Sequence, residues 1–310
     1  DTMFKKIITR VGLGLLGLLV LAALAIQLTG HGYFWKALSA TYLQGHSTAH
    51  IDDADNFEQR KIATSQPLLW EKDAAYNREV VNPEMLSYLQ RYKSAAYLVA
   101  KNGKLLHETY FAPYTEASRT NSFSVAKTVT TMQVGMAVQQ GLIPSFDASI
   151  TQFLPEFKNN LSGSKATISQ VSAMKSGHDW TEKYYLPLNV TTDLYYGTNA
   201  EKLVLNQGFE RAPGTEYEYS SGSTQLLGVI LKRAIQAKNP QSNVSEHLSQ
   251  SLWQPLGMEK EGIYTLDRAS AEGGMERTYC CIFATARDYA KLGQLLLQDG
   301  LWGGKQLLDK

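Results

Sequence analysis

A serine and a lysine three residues apart on a helix project from one face, a turn apart, so a neutral lysine amine can take the serine's proton. This chain holds three such pairs: Ser124-Val125-Ala126-Lys127, Ser162-Gly163-Ser164-Lys165 and Ser172-Ala173-Met174-Lys175. The chemistry they could do is nucleophilic catalysis without a metal, in which the serine oxygen attacks a carbonyl and becomes acylated. Context separates the three. Ser162 sits in a polar, Gly-containing connection, where no helix fixes the pair. Ser172 lies near a predicted helix C-terminus, whose carbonyl ends oppose a developing alkoxide. Ser124 opens a long apolar helix, where N–H groups and the positive dipole end favour negative charge on oxygen. Ser124 and Lys127 are therefore the candidate nucleophile and base, against the plainer reading of a capping serine followed by a surface lysine.

The base has a quantitative requirement. A lysine of ordinary pKa is neutral in only about one molecule in 2,500 at pH 7. Lowering that pKa to about 7–8 takes roughly 4 kcal/mol against the charged form, supplied by burial or a nearby cation. Val125 and Ala126 suit an apolar surround. A second titratable group usually shares such work, and the chain offers 17 Tyr.

The elements that must position this pair are readable in outline. Ala96-Tyr97-Leu98-Val99-Ala100 and Leu105-Leu106-His107-Glu108-Thr109-Tyr110-Phe111 flank Lys101-Asn102-Gly103-Lys104. Asn-Gly between two strand-like runs predicts a hairpin, because both residues tolerate positive φ. A helix buried on most sides is predicted from near Phe123 to Gln140, with Gly141 as its stop. Further helices are expected at 167–175, 224–237, 243–253 and 285–298, with a tight turn at Pro213-Gly214. Residues 31–85 read as a tether and peripheral lead-in, polar and without sustained periodicity, and residues 86–310 as the main domain.

At the other end, Lys5, Lys6 and Arg10 precede an apolar run from Val11 to Ile26, interrupted at Gln27 before Leu28. Its length lies between a signal-peptide core and a membrane span of about 20 residues. Ala23-Leu24-Ala25 could be cleaved. Tyr33, Phe34 and Trp35 follow directly, as an interfacial aromatic belt does, and favour a retained anchor within residues 1–30. The basic flank places the body outside the cytoplasm, on the periplasmic face of the inner membrane or, after cleavage, periplasmic or secreted.

Other constellations carry less. His46 and His50 lie four apart, but no third ligand cluster accompanies them, so no metal or other cofactor is expected. Cys280 and Cys281 are adjacent, where a mutual bond requires strain, so two small buried thiols are expected over a redox pair. The composition (310 residues, formal net charge +1, 44% hydrophobic) excludes a disordered chain, a collagen-like repeat and a disulfide scaffold. With 30 Lys+Arg against 29 Asp+Glu, it also argues against nucleic acid as a partner.

Taken in chain order, these residues resemble a known family. Ser124-x-x-Lys127 follows a hairpin, and Tyr219-Ser220-Ser221 follows Pro213-Gly214-Thr215-Glu216. Ser176-Gly177, Pro255-Leu256-Gly257-Met258 and Thr285-Ala286-Arg287-Asp288 come in the same order. The set is similar to the serine β-lactamase and penicillin-binding-protein superfamily, in its class C-like branch of esterases and amidases, and most of all to the 6-aminohexanoate-dimer hydrolase group. The resemblance implies an α/β (α+β) fold: an antiparallel sheet flanked by helices, with a mostly helical subdomain. It implies a serine hydrolase that cleaves a small ester or amide through an acyl-enzyme. Ser124 would be the nucleophile, Lys127 its base, and Tyr219 a second general acid/base. In Asp179-Trp180-Thr181-Glu182-Lys183-Tyr184 it implies that Tyr184 contacts the substrate. Ser221, the second substrate-binding candidate the resemblance implies, stands in the second motif where many relatives carry Asn.

The chain also departs from the pattern. The third motif, Lys-Thr-Gly or a His-containing equivalent on a late strand, has no counterpart after Tyr219, and Lys175-Ser176-Gly177 spells a version of it in the wrong place. The closing strands that would pair with the 96–111 hairpin, and one of two oxyanion donors, are expected to be missing, with a complementary C-terminal fragment as a partner. The alternatives are a D-alanyl-D-alanine carboxypeptidase or β-lactamase, and a catalytically inactive, membrane-tethered interaction module.

Overall fold

Apolar residues on nearly every face of the segment after Ser124 demand that it be enclosed, and the remaining elements are laid around it. The computed structural model describes residues 2–309. In chain order the elements are α1 (Thr2–Leu28), α2 (Tyr33–Ala40), β1 (Glu58–Ile62), α3 (Pro83–Arg91), β2 (Ala96–Lys101), β3 (Lys104–Tyr110), β4 (Thr120–Asn121) and α4 (Val125–Gln139). There follow α5 (Ile168–Ser172), α6 (Val190–Tyr196), α7 (Ala200–Asn206), α8 (Ser221–Lys238), α9 (Val244–Leu248), β5 (Gly262–Leu266), β6 (Ile282–Ala284), α10 (Ala286–Leu297), β7 (Leu301–Trp302) and β8 (Lys305–Gln306).

Ala126, Val129, Met132, Val134, Met136 and Ala137 of α4 are all buried. Each large aliphatic side chain so enclosed contributes about 1.5–3 kcal/mol. Helix α8 packs along α4. Its Gly228 lets Thr278 approach to where a Cβ would lie 2.2 Å from the Thr278 hydroxyl. Four antiparallel strands in the order β1-β5-β6-β4 form the main sheet. The short β4 delivers the chain to Ser124, and β6 emerges from the segment that passes behind it.

The predicted hairpin is β2–β3, with Asn102 (φ 51°) and Gly103 (φ 78°) at its turn. It pairs with itself, outside the main sheet. Arg287 of α10 ties it down: its guanidinium donates to Glu108 of β3 and to Glu116 and Glu259. Burial works to raise the Glu108 carboxyl, and hydrogen bonds from Arg287, Tyr76 and Tyr110 outweigh it, leaving the group at about 2.

The structure differs from the sequence reading in the lead-in, at the cysteines, and in helices α6 and α7, which the sequence does not predict. The polar lead-in contributes β1, an edge strand paired from Glu58↔Leu266 to Ile62↔Gly262. Its sequence, Glu-Gln-Arg-Lys-Ile, shows no alternation because only Ile62 is buried. Cys280 and Cys281 are not two thiols: they are joined as a disulfide, both residues buried beside β6.

Candidate functional site

Asn121 closes β4, and its side-chain oxygen accepts from the Phe123 N–H at 3.0 Å. Phe123 then takes a positive φ of 42°, a conformation a bulky residue adopts only when its surroundings force it. That turn aims Ser124 at the start of α4. Ser124 occupies the N-cap position without capping the helix through its side chain, which removes the plainer reading of this serine. Its hydroxyl receives the Tyr219 O–H at 2.6 Å and the Lys127 amine at 3.3 Å. Its backbone N–H meets no protein acceptor among the described residues.

Lys127 lies one turn into α4 and is buried, unlike a surface lysine. Its Nζ donates to the Tyr279 carbonyl at 3.0 Å and sits 4.9 Å from the Tyr219 ring centre and 5.4 Å from that of Tyr279. Burial lowers its pKa from 10.5 to about 8, while the Glu182 carboxylate pulls the other way. At pH 7 roughly one molecule in ten then carries the neutral amine, against one in thousands for an exposed lysine.

The wall behind Lys127 is the segment before β6. Arg277, fully buried, donates to the carbonyls of Leu194, Leu266 and Gly197 and lies 4.8 Å from the Phe57 ring. It fixes the backbone from which the Tyr279 and Cys280 carbonyls project. The Cys280 carbonyl accepts from the Ser122 hydroxyl at 2.8 Å, which ties the wall to the nucleophile's own loop.

Tyr219 arrives on the loop before α8, whose N-cap Ser220 accepts from the Ser223 N–H at 3.0 Å. Ser221 opens α8. Gly222 follows because the Trp180 indole lies against it, 2.3 Å from where a Cβ would be. Tyr184 reaches the site from the 180s loop. The structure therefore brings Ser124, Lys127, Tyr219, Tyr184 and Ser221 to one place. Of the other Ser-x-x-Lys pairs, Ser162 precedes a short 3-10 turn and Ser172 ends α5. Ser176 bonds Ser223, and Gly177 packs against the Arg211 carbonyl, so Lys175-Ser176-Gly177 serves packing.

The residue that the sequence did not single out is Glu182. One carboxylate oxygen accepts from the Tyr184 and Ser221 hydroxyls; the other accepts from the Ser221 N–H at 3.1 Å and the Trp180 indole at 2.5 Å. Its only sequence signal is a carboxylate two residues from each of two aromatic donors. The Tyr184 hydroxyl is pushed to higher pKa by burial and then by this bond. Tyr195 carries no sequence signal at all. Its hydroxyl joins Asn121 at 3.2 Å to Asp53 at 3.0 Å, bracing β4 from the far side.

A cleft of about 440 Å³ opens over Ser124, walled by Phe123, Tyr184, Tyr195, Tyr196 and Tyr279 with Cys280 at its floor. Lys127 is the one cation among the described residues lining it. Among the described residues no group of three or more His, Cys, Asp or Glu converges to hold a metal ion. His46 and His50 stack on one another, and His50 pairs with Asp52.

The family model described as Beta-lactamase matches residues 86–309. The 6-aminohexanoate-dimer hydrolase of Paenarthrobacter ureafaciens is 25% identical over 241 residues, covering 74% of this chain and 58% of that protein. Protein flp of Staphylococcus aureus is 26% identical over 180 residues, 53% of this chain and 33% of its own length. The chain therefore spans about three-fifths and one-third of these two curated relatives. The solved structure of a candidate 6-aminohexanoate-dimer hydrolase from Bacillus anthracis superposes with a TM-score of 0.68 at 25% identity, covering 82% of this chain and 70% of that one.

Proposed function

The chain belongs to the β-lactamase family, and from that footing we propose that it is a serine hydrolase, cleaving an ester or amide through an acyl-enzyme on Ser124. The observation that carries this is the Ser124 hydroxyl held by both Tyr219 and Lys127. Neutral Lys127, with one N–H on the Tyr279 carbonyl, takes the Ser124 proton as the oxygen attacks the substrate carbonyl. The oxyanion forms where the Ser124 N–H and the start of α4 offer positive potential. Tyr219 protonates the leaving group and then activates water against the acyl-enzyme. Tyr184, at the mouth of the cleft, supports the substrate. Ser221 acts through Glu182, to which its hydroxyl is committed.

An ester or linear amide is preferred to a cell-wall substrate on the likeness to one relative. The P. ureafaciens relative is named for an amide dimer. The helix α1, which from Met3 to Leu28 holds an apolar stretch and is not buried in the fold, has the length and composition of a membrane span; the core of a signal sequence shares both. With the basic flank and exposed Trp35, it supports an anchored hydrolase on the outer side of a membrane, while Tyr33 is buried in the fold and belongs to no aromatic belt.

A fluorophosphonate probe followed by peptide mapping tests the function. Modification of Ser124 without acylation by penicillin is the expected result. Penicillin acylation would favour the cell-wall alternative, and absence of any adduct would leave an inactive tethered module.

A further inference from the structure

From Tyr184 at the cleft, the 180s loop continues as a run of side chains that the proposed reaction uses only at that first residue. Tyr184-Tyr185-Leu186-Pro187-Leu188 carries no charge, and its large side chains face solvent: Tyr185 is 78% exposed, Leu188 46% and Leu186 40%. A soluble surface seldom presents five such residues in sequence, and one that does marks a contact with protein or membrane. The loop is not loose. The Leu186 carbonyl accepts from the Asn189 side chain and from the Thr192 hydroxyl, each at 2.9 Å.

The same anchor point leads to α1. The Asn189 carbonyl accepts from the Tyr33 hydroxyl at 3.3 Å, and Tyr33 begins α2, shortly after α1 ends at Leu28. Helix α2 packs on α6, whose Thr191, Thr192, Tyr195 and Tyr196 line the catalytic cleft. Hydrogen bonds through Asn189 thus connect the exposed loop to the first residue of α2. Trp35, 40% exposed, stands on the same short helix. Aromatic and aliphatic side chains without charge, fixed beside the emergence of an apolar helix, have the chemistry of an interfacial contact.

We infer that Tyr185, Leu186 and Leu188 rest in the bilayer interface beside α1 and that the cleft draws amphiphilic esters or amides from that interface. The inference rests on the anchored-hydrolase reading. Tyr184 is the hinge between the two surfaces: it is the first residue of the apolar run and a wall of the cleft. A substrate whose acyl chain lies among the lipids would pass Tyr184 to bring its carbonyl to Ser124, without leaving the membrane surface for water.

The test uses the full chain in phosphatidylcholine vesicles containing a diazirine-bearing phosphatidylcholine. After illumination, cross-links are expected within residues 185–188 as well as in α1. Cross-links confined to α1 and its flank, or none at all, would overturn the inference. A second measurement compares the chain with its Tyr185→Ser/Leu188→Ser variant. The variant should lose about tenfold in rate on a long-chain ester embedded in the vesicles, and keep its rate on water-soluble p-nitrophenyl acetate. Equal loss on both esters, or no loss on either, counts against the inference. Failure of the parent chain to hydrolyse either ester would instead strike the hydrolase reading, while the cross-link map still decides where the loop lies.

Discussion

Lys127 must be neutral to work and is charged at low pH, so the rate should rise as pH increases through about 8, the value set by its burial. Measured as kcat/KM on a soluble ester, Lys127→Ala should abolish this limb and lower the plateau by about 10²–10⁴-fold. Glu182→Gln removes the carboxylate that favours the Lys127 ammonium, so the same limb should move below pH 8. A Glu182 that only held Tyr184 and Ser221 in place would lower the plateau and leave the limb where it was. The Ser124–Lys127 pair is legible in the sequence as a candidate, because a helix N-terminus favours a developing alkoxide and, of three Ser-x-x-Lys pairs, it alone opens a long helix. Glu182 is not legible there. Its role comes from meeting Ser221, 39 residues away, and spacing along the chain carries no sign of that. The disulfide escapes the sequence for a related reason. Adjacency counts against such a bond, and only the folded backbone shows the two sulfurs brought together.

Two elements set the site's precision. The start of α8 lies against Trp180 because residue 222 has no side chain. Gly222→Ala should force the indole away from Glu182 and destabilise the fold by about 1–3 kcal/mol in denaturant titration. The β2–β3 hairpin, legible from its Asn-Gly turn, is held by Arg287 on Glu108. Because the folded-state carboxyl is depressed to about 2 from 4.5, its contribution to stability is complete above pH 4.5 and is lost as pH falls through about 2. Glu108→Gln should flatten that part of the stability–pH curve, measured by thermal unfolding between pH 2 and 6. Strand β1 is hidden because an edge strand needs only one buried side chain. The rule of alternating apolar residues applies to strands with a whole face covered.

At the scale of the whole molecule, the central helix and its second packing helix follow from hydrophobic pattern, since local preference and global packing agree there, while the antiparallel sheet comes only from the family resemblance. The setting of the cleft follows from neither. It depends on α2 docking against α6, a contact between a segment that reads as a tether and one for which no helix is predicted. That docking sets α2, which begins shortly after α1 ends, against a wall of the cleft. The central claim is that Ser124 is acylated and that Tyr219 then serves the water. Its most direct test is acid-quenched mass spectrometry of the Tyr219→Phe chain during turnover of p-nitrophenyl acetate. An acetyl group should accumulate on Ser124, with hydrolysis slowed by about 10²–10⁴-fold relative to the parent chain. A Ser124→Ala chain that hydrolyses the ester at the parent rate, or an acetyl group on any other residue in its place, would contradict the account.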